Sequence, residues 1–207
     1  MDYIRLKDVY KTMKGTQVLK GVNLTVEQGD IVGISGINGS GKTMVLRAIA
    51  GLIRVDGSVE IGGKKMEPGE CPKDIGVLVE MPGFLPEFTG KKNLQLLGML
   101  QEGVTEEDIE EAMNAVGLDP KDRRHYKKYS LGMKERLGIA QAILKKPKLI
   151  LLDEPTNGID SDGIQILEEL LWRLKEAGST IVVTSHDRDF LDAVTSQCYE
   201  MKEGSLR

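Results

Sequence analysis

The sequence predicts an α/β fold in which a largely parallel sheet is covered by helices on both faces. From Lys148 onward, strands alternate with helical segments: KLILLD (148–153), a helix over 160–177, STIVVTS (179–185), a second helix and SQCYEMKEG (196–204). The first two strands are almost continuously apolar, which is typical of strands buried on both faces of a parallel sheet. The helix over 160–177 carries one apolar stripe for packing on that sheet, formed by Ile164, Leu167, Leu170, Leu171 and Leu174.

The first third of the chain is predicted to form strands. YIRLKDV (3–9), VLKGVNLTVE (18–27), DIVGIS (30–35) and SVEIGG (58–63) are punctuated by turn-forming Gly-Asp, Asp-Gly and Gly-Gly pairs. DIVGIS runs into a glycine-rich loop, after which a helix should begin near Lys42. One face of that helix would be apolar, with Val45, Leu46, Ile49 and Leu52.

The middle of the chain, about 84–146, is predicted to be a mostly helical lobe. LGMKERLGIAQAIL (131–144) has helical periodicity, and so does the stripe Ile109, Ala112, Met113 and Val116. The segments on either side, about 1–83 and 147–207, would form the catalytic core of the same domain. A chain of 207 residues is long enough for one such unit and too short for two independent enzyme domains.

Composition narrows the classes of function. The net charge of −4 gives no general reason to expect nucleic acid as a partner, and the basic run KDRRHYKK (121–128) is of a length usual for a solvated surface. The two cysteines, Cys71 and Cys198, are far apart and predicted to be free thiols in a reducing compartment. Without an apolar run of about 18 residues or a signal peptide, the protein is expected in the cytoplasm, reaching a membrane only through a partner.

A phosphate-binding loop is predicted between DIVGIS and the helix that follows it. GINGSGKT (36–43) fits G-x-x-x-x-G-K-[S/T] in its proper strand-to-helix context, which indicates a P-loop nucleoside triphosphatase. Lys42 should reach the β- and γ-phosphates, and the Thr43 hydroxyl should bind Mg²⁺. The residues expected to bind ATP here are Gly36, Ile37, Asn38, Gly39, Ser40, Gly41, Lys42 and Thr43.

LILLDE (149–154) supplies the second half of the predicted site. An apolar strand ending in a carboxylate can hold Asp153 near the metal, because the carboxyl end of the strand faces the phosphate loop. Glu154 is placed to accept a proton from the attacking water as general base. The alternative is that this acidic pair only caps a helix before Pro155.

Three further segments resemble motifs of the ATP-binding cassette (ABC) family. YSLGMKERLGIAQAIL (129–144) resembles the signature segment, TNGID (156–160) the D-loop, and TSHD (184–187) the switch histidine. The resemblance implies an ABC-ATPase fold with a mixed core sheet, an antiparallel β subdomain and an inserted α-helical subdomain. It also implies a head-to-tail dimer with ATP between the phosphate loop of one subunit and the signature segment of the other.

The same resemblance implies roles for individual residues. His186 would contact the γ-phosphate and orient the attacking water, while Ser130, Gly132 and Asp160 would contact the ATP of the partner subunit. The signature departs from the common LSGGQ form, with Leu131 and Met133 in place of the usual residues and Lys134 beyond them. The residue that usually stacks on adenine falls near Met13, which can pack on a base without stacking as a ring does.

An acidic residue ends the apolar strand in IGVLVEMPGFLP (75–86). The family usually has a glutamine where this chain has Glu80, so we expect the Glu80 carboxylate to bind or approach the Mg²⁺ of bound ATP. The alternative is a side chain turned to solvent. Together with MPGF and the signature, Glu80 makes the chain similar to cassettes of bacitracin and lantibiotic export or self-immunity systems.

The function expected from these features is that of an ATP-hydrolysing subunit of a membrane transporter. It would form a homodimer or pair with a sister cassette and dock on a separate transmembrane permease at the inner face of the cell membrane. The docking groove is expected around 80–93, with Phe84, Leu85 and Phe88 exposed, although these side chains could instead pack within the lobe. Two alternatives are an ATP clamp on nucleic acid or ribosomes and a nucleotide-gated module that no longer hydrolyses ATP.

Overall fold

The computed structural model describes residues 1–80, 82–101 and 103–207, so Met81 of the MPGF segment lies outside the described residues. The strands are β1 (Asp2–Met13), β2 (Thr16–Glu27), β3 (Ile31–Ser35), β4 (Asp56–Ile61), β5 (Lys64–Lys65), β6 (Ile75–Leu78), β7 (Leu149–Asp153), β8 (Thr180–Ser185), β9 (Gln197–Lys202) and β10 (Ser205–Leu206). The helices are α1 (Lys42–Ile49), α2 (Gly90–Gly98), α3 (Glu106–Ala115), α4 (Leu131–Ala142), α5 (Ser161–Glu176) and α6 (Arg188–Val194), with a short 3₁₀ helix at Tyr126–Lys128.

A six-stranded sheet in the order β10-β9-β3-β8-β7-β6 forms the centre of the molecule. The pairs β3–β8, β3–β9, β7–β8 and β6–β7 are parallel, and only the terminal hairpin β9–β10 is antiparallel. Ser35 pairs with Ser185, and Asp153 pairs with Thr184. The carboxyl ends of β3, β7 and β8 therefore lie at one edge, which brings the residues that follow these strands together.

A second sheet, in the order β2-β1-β4-β5, is antiparallel throughout. Its long pair β1–β2 has several register shifts, because bulged residues such as Asp8, with φ of 48°, interrupt the strict alternation of side chains. Ile4, Val22 and Val26 are fully buried on its inner face. The central sheet of mostly parallel strands, the antiparallel sheet and the helical segment confirm the predicted α/β class with its antiparallel β part and its helical part.

Successive residues of β7 face two different apolar clusters. Ile150 and Leu152 pack with the helices α2 to α6, while Leu149 and Leu151 pack with α1 and the antiparallel sheet. All four side chains are fully buried. A strand that is apolar at every position is thus explained by burial on both faces, as the sequence predicts.

The helical segment between β6 and β7 is joined tightly to the central sheet. A Cβ at Gly76 of β6 would overlap the carbonyl of Ala142 at the end of α4, so only glycine allows this approach of strand and helix. A capping box at Thr105 and Asp108 begins α3. The predicted stripe Ile109, Ala112, Met113 and Val116 is buried as expected.

Two predicted apolar positions differ from the structure. Leu52 was expected on the buried face of the first helix, but α1 ends at Ile49 and Leu52 is 59% exposed, because the chain turns at Gly51 with φ of 71°. Phe84 was expected to be exposed, but it is buried and packs edge-on against Tyr126, with ring centroids 5.2 Å apart. In the part of the chain that the structure describes, no helix has both the length and the apolar character to cross a membrane.

Candidate active site

The loop between β3 and α1 curls around an open cavity of about 350 Å³. Gly36, with φ of 149°, leaves no room for a Cβ, which would lie 2.5 Å from the carbonyl oxygen of Met201. Gly41, with φ of 115°, begins α1 at its N-cap. The same cavity is bordered by the start of β2, by the loop residues 38–41 and by Glu154. A concave loop ahead of a helix N-terminus suits a polyphosphate, since free backbone N–H groups and the helix dipole favour anions.

Lys42 is the first residue of α1, and only 5% of its side chain is exposed. Its Nζ donates to the carbonyl oxygen of Gly36 at 2.6 Å and lies 2.9 Å from Glu154 Oε1. A buried ammonium needs such partners, because an unpaired charge is costly to bury. Bound phosphate oxygens would offer the same cation stronger, charged acceptors.

Asp153 is held at the end of β7 by two hydroxyl groups. Thr43 Oγ1 donates to Asp153 Oδ2 at 2.6 Å, and Thr184 Oγ1 donates to Oδ1 at 2.6 Å. The described residues include no group of three or more His, Cys, Asp or Glu that could hold a metal ion. A hydroxyl beside one carboxylate at a phosphate loop nevertheless fits Mg²⁺, which binds one or two protein oxygens and takes its other ligands from phosphate and water.

Glu154 links the phosphate loop to the end of β8. Its Oε2 accepts a hydrogen bond from the backbone N–H of His186 at 3.2 Å and lies 2.7 Å from the His186 ring nitrogen Nδ1. Its own N–H donates to Thr184, and its φ of 49° turns the side chain away from the line of the strand. Burial alone would raise the pKa of this carboxyl, but hydrogen bonds from Lys42 and His186 outweigh burial and hold the pKa below its usual value.

Glu135 is an acidic residue near this site that the sequence motifs do not single out. It lies on α4 with 6% exposure, and burial followed by the charge of Asp153 raises its pKa to about 7. Its position four residues from Leu131 and from Ile139 was the available signal, because it puts a carboxylate on the helix face next to apolar positions.

The signature segment and the D-loop lie against each other. Ser130 is the N-cap of α4, where its hydroxyl accepts from the Met133 N–H at 3.2 Å. A Cβ at Gly132 would lie 2.5 Å from the carbonyl oxygen of Gly158 in the D-loop. Asp160 is the N-cap of α5. Among the described residues, no hydrogen bond or ion pair joins Ser130, Gly132 or Asp160 to residues 36–43.

Four other candidate residues lie at the surface of the molecule. Glu80 follows β6, is 70% exposed, and forms an ion pair with Arg47 of α1. Met13 ends β1 and is 39% exposed. Leu85 and Phe88, at 48% and 41% exposure, are open to solvent as the sequence predicts.

The sequence of this chain is similar to those of known ATP-binding proteins. Residues 19–157 match the ABC transporter family. An uncharacterized ABC transporter ATP-binding protein of Bacillus subtilis (strain 168) is 39% identical over 205 residues, which are 98% of this chain and 94% of that protein. The bacitracin transport ATP-binding protein BcrA of Enterococcus faecalis is 37% identical over 211 residues, covering 100% of this chain and 68% of that protein.

Solved structures of the same family are similar to the fold of this chain. The dimeric bacterial ABC transporter cassette MJ0796 superposes with a TM-score of 0.88 at 29% identity, covering 99% of this chain and 96% of the other. Its post-hydrolysis state bound to ADP and phosphate also gives a TM-score of 0.88, at 28% identity and the same coverage. The phosphate loop, the carboxylates at the end of β7 and these relatives establish that the chain belongs to the ABC transporter family, as an ATP-binding, ATP-hydrolysing subunit.

Proposed function

We propose that the chain hydrolyses ATP with Glu154 as general base and with Lys42 and His186 on the γ-phosphate. The observation that carries this proposal is the placement of Glu154, whose two oxygens lie 2.9 Å from Lys42 Nζ and 2.7 Å from His186 Nδ1. In one contact chain, Lys42 can stabilise the phosphate charge, Glu154 can accept the proton of water, and the His186 imidazole can orient the carboxylate.

In the proposed mechanism, residues 36–43 cradle the phosphates, and Lys42 moves from the loop carbonyls to the phosphate oxygens. Thr43 and Asp153 would hold Mg²⁺, which when bound neutralises charge on the β- and γ-phosphates. Glu154, released from Lys42, accepts a proton from water as the water oxygen bonds to the γ-phosphorus and the bond to the β-phosphate oxygen breaks. His186 keeps the carboxylate oriented and contacts the γ-phosphate. Met13 is proposed to pack on adenine.

The active unit is proposed to be a head-to-tail homodimer or a pair with a sister cassette. Ser130 and Gly132 open α4, whose N-terminus is a natural anion site, and they make no polar contact with residues 36–43 of their own chain. The γ-phosphate of ATP on the partner subunit would fill that site, with Asp160 beside it. The dimeric state of the related cassette MJ0796 supports this assembly.

We propose that this dimer serves an exporter or immunity transporter for antimicrobial peptides, through a separate transmembrane permease. The similarity to the bacitracin transport protein of Enterococcus faecalis and to the lantibiotic transport ATP-binding protein of Streptococcus pyogenes, 35% identical over 184 residues, supports that class. The exposed side chains of Leu85 and Phe88 would contact the permease at the inner face of the membrane. Nucleic acid is not expected to bind directly.

Two experiments test these proposals. ATP hydrolysis by the purified chain should require Mg²⁺ and should fall to background in EDTA, and Mg²⁺-independent hydrolysis would contradict the metal assignment. Affinity capture of the tagged chain from membranes of its host should bring down a multi-span protein, and Leu85→Ser with Phe88→Ser should abolish that capture. Recovery of RNA or ribosomes in place of a membrane protein would favour the nucleic-acid clamp.

A further inference from the structure

Glu80 is held on the α1 side of the site by Arg47. The Arg47 guanidinium donates from Nη2 to Glu80 Oε1, and the two side chains are 26% and 70% exposed. Within the residues that the structure describes, this ion pair is the only polar contact of the Glu80 side chain. The carboxylate proposed to approach Mg²⁺ is therefore paired with a cation of α1.

Arg47 lies on the same face of α1 as Thr43. The two residues are four positions apart, which places their side chains one above the other on the helix. Thr43 Oγ1 donates to Asp153 Oδ2 at 2.6 Å. Arg47 thus lies one helical turn from Thr43, which is a proposed metal ligand.

The register of β6 places Glu80 next to the carboxyl end of β7. Leu78 of β6 pairs with Leu152 of β7, so Glu80 follows the sheet edge at the level of Asp153 and Glu154. Its φ of 112° lies in a region that a residue with a side chain rarely adopts. Such a conformation persists only where surrounding contacts hold it, and it can relax when those contacts change.

The ion pair between Arg47 and Glu80 should affect which form of the nucleotide binds, because it changes the net charge at the site. Asp153 and Glu154 already place two carboxylates at the site, against one buried cation, Lys42. A third carboxylate from Glu80 would repel a metal-free triphosphate and attract a divalent cation. Pairing with Arg47 neutralises that carboxylate until the cation arrives.

We infer that Arg47 is a positioning residue that withholds the Glu80 carboxylate from the metal site and releases it when the metal nucleotide binds. This inference rests on the proposed approach of Glu80 to Mg²⁺. It predicts that Arg47 lowers the preference of the protein for metal-bound over metal-free nucleotide. Loss of Arg47 should increase that preference, but only while Glu80 is present.

The test measures the dissociation constant of a β,γ-imido analogue of ATP by calorimetry, once with Mn²⁺ and once with EDTA. The ratio of the EDTA value to the Mn²⁺ value should rise about threefold to fivefold in Arg47→Gln, the range for losing a partly exposed ion pair. Arg47→Lys, which keeps the charge and loses the planar fork, should give an intermediate ratio. Arg54→Gln removes an exposed cation just beyond α1 and should leave the ratio unchanged.

The double variant Arg47→Gln with Glu80→Gln separates the possible outcomes. If the Arg47 substitution has no effect in that background, the inference stands; an equal effect there would mean that Arg47 acts on the metal directly, and would overturn it. If Glu80→Gln alone lowers the ratio while Arg47→Gln leaves it unchanged, only the role of Arg47 is wrong. If Glu80→Gln leaves the ratio unchanged, the proposed metal contact itself is wrong, and the inference falls with it.

Discussion

The ring nitrogen Nδ1 of His186 lies 2.7 Å from Oε2 of Glu154. The backbone N–H of His186 donates to the same oxygen at 3.2 Å, so both the main chain and the side chain of one residue orient this carboxylate. The other oxygen, Oε1, lies 2.9 Å from Lys42 Nζ. The contacts of His186 orient the carboxylate through Oε2, so in the proposed mechanism only Oε1 changes its partner, from Lys42 to the attacking water.

Replacing Glu154 by glutamine should abolish turnover and preserve nucleotide binding. The amide keeps the shape of the side chain but cannot accept a proton from water, and general base catalysis contributes roughly 100-fold to 10,000-fold. We expect the steady-state ATPase rate to fall by at least about 100-fold, with the dissociation constant for Mg²⁺–ATP within about threefold of the wild-type value. Glu176→Gln, at the exposed end of α5, is the control and should keep the full rate.

The lowered pKa of Glu154 predicts that the stability of the protein depends on pH. Because hydrogen bonds from Lys42 and His186 outweigh burial and lower the pKa of Glu154, the folded state favours its ionised form. That contribution is present above the unfolded pKa of about 4.5 and is lost as the pH falls through the lower folded value. The thermal midpoint of the wild type should therefore fall toward that of Glu154→Gln as the pH is lowered from about 5 to the acid limit of folding. A constant difference over that range would contradict the lowered pKa.

Those parts of the fold that follow from local pattern were predictable from the sequence. The continuous apolar run of β7 predicts burial on both faces, because no other environment accepts four adjacent aliphatic side chains. The exposure of Phe84 was predicted wrongly, since its partner Tyr126 lies 42 positions further along the chain and no local pattern brings the two rings together. Contacts of this kind depend on how separate elements pack.

The candidate site likewise contains some residues that the sequence alone could predict and others that it could not. Residues 36–43 form one contiguous motif whose chemistry is fixed by its own backbone, so its role can be proposed from sequence. The ion pair between Arg47 and Glu80 joins a helix to the end of a distant strand, and neither residue alone indicates it. Glu135 likewise acquires its raised pKa only from burial beside Asp153.

Glu135 should destabilise the nucleotide-free protein at neutral and higher pH. Burial raises its pKa from 4.5 to about 7, so the unfolded chain ionises it more readily than the folded chain does. The resulting penalty grows as the pH rises from about 4.5 to about 7 and is complete above that, at up to about 3 kcal/mol. In EDTA, Glu135→Gln should raise the free energy of unfolding relative to wild type at about pH 8, and much less at about pH 5. An equal gain at both pH values would show that ionisation is not the cause.

Gly132 lies where the signature segment meets the D-loop, so a side chain there should separate them. A Cβ at this position would lie 2.5 Å from the carbonyl oxygen of Gly158, and backbone cannot yield as a flexible side chain can. Since α4 and the D-loop are proposed to meet the ATP of the partner, Gly132→Ala should weaken the ATP-dependent dimer by at least about tenfold. Light scattering in the Glu154→Gln background, where ATP persists, measures this loss.

Binding of nucleotide to the monomer should be unchanged in Gly132→Ala, because Gly132 makes no polar contact with residues 36–43 of its own chain. Gly83→Ala is the matched control, since a Cβ at Gly83 would meet no atom of the described residues beyond its chain neighbours within 4 Å, and its φ lies outside the left-handed region. That variant should dimerise like the parent. Equal dimerisation by Gly132→Ala would show that the contact between α4 and the D-loop does not set the geometry of the partner's ATP site.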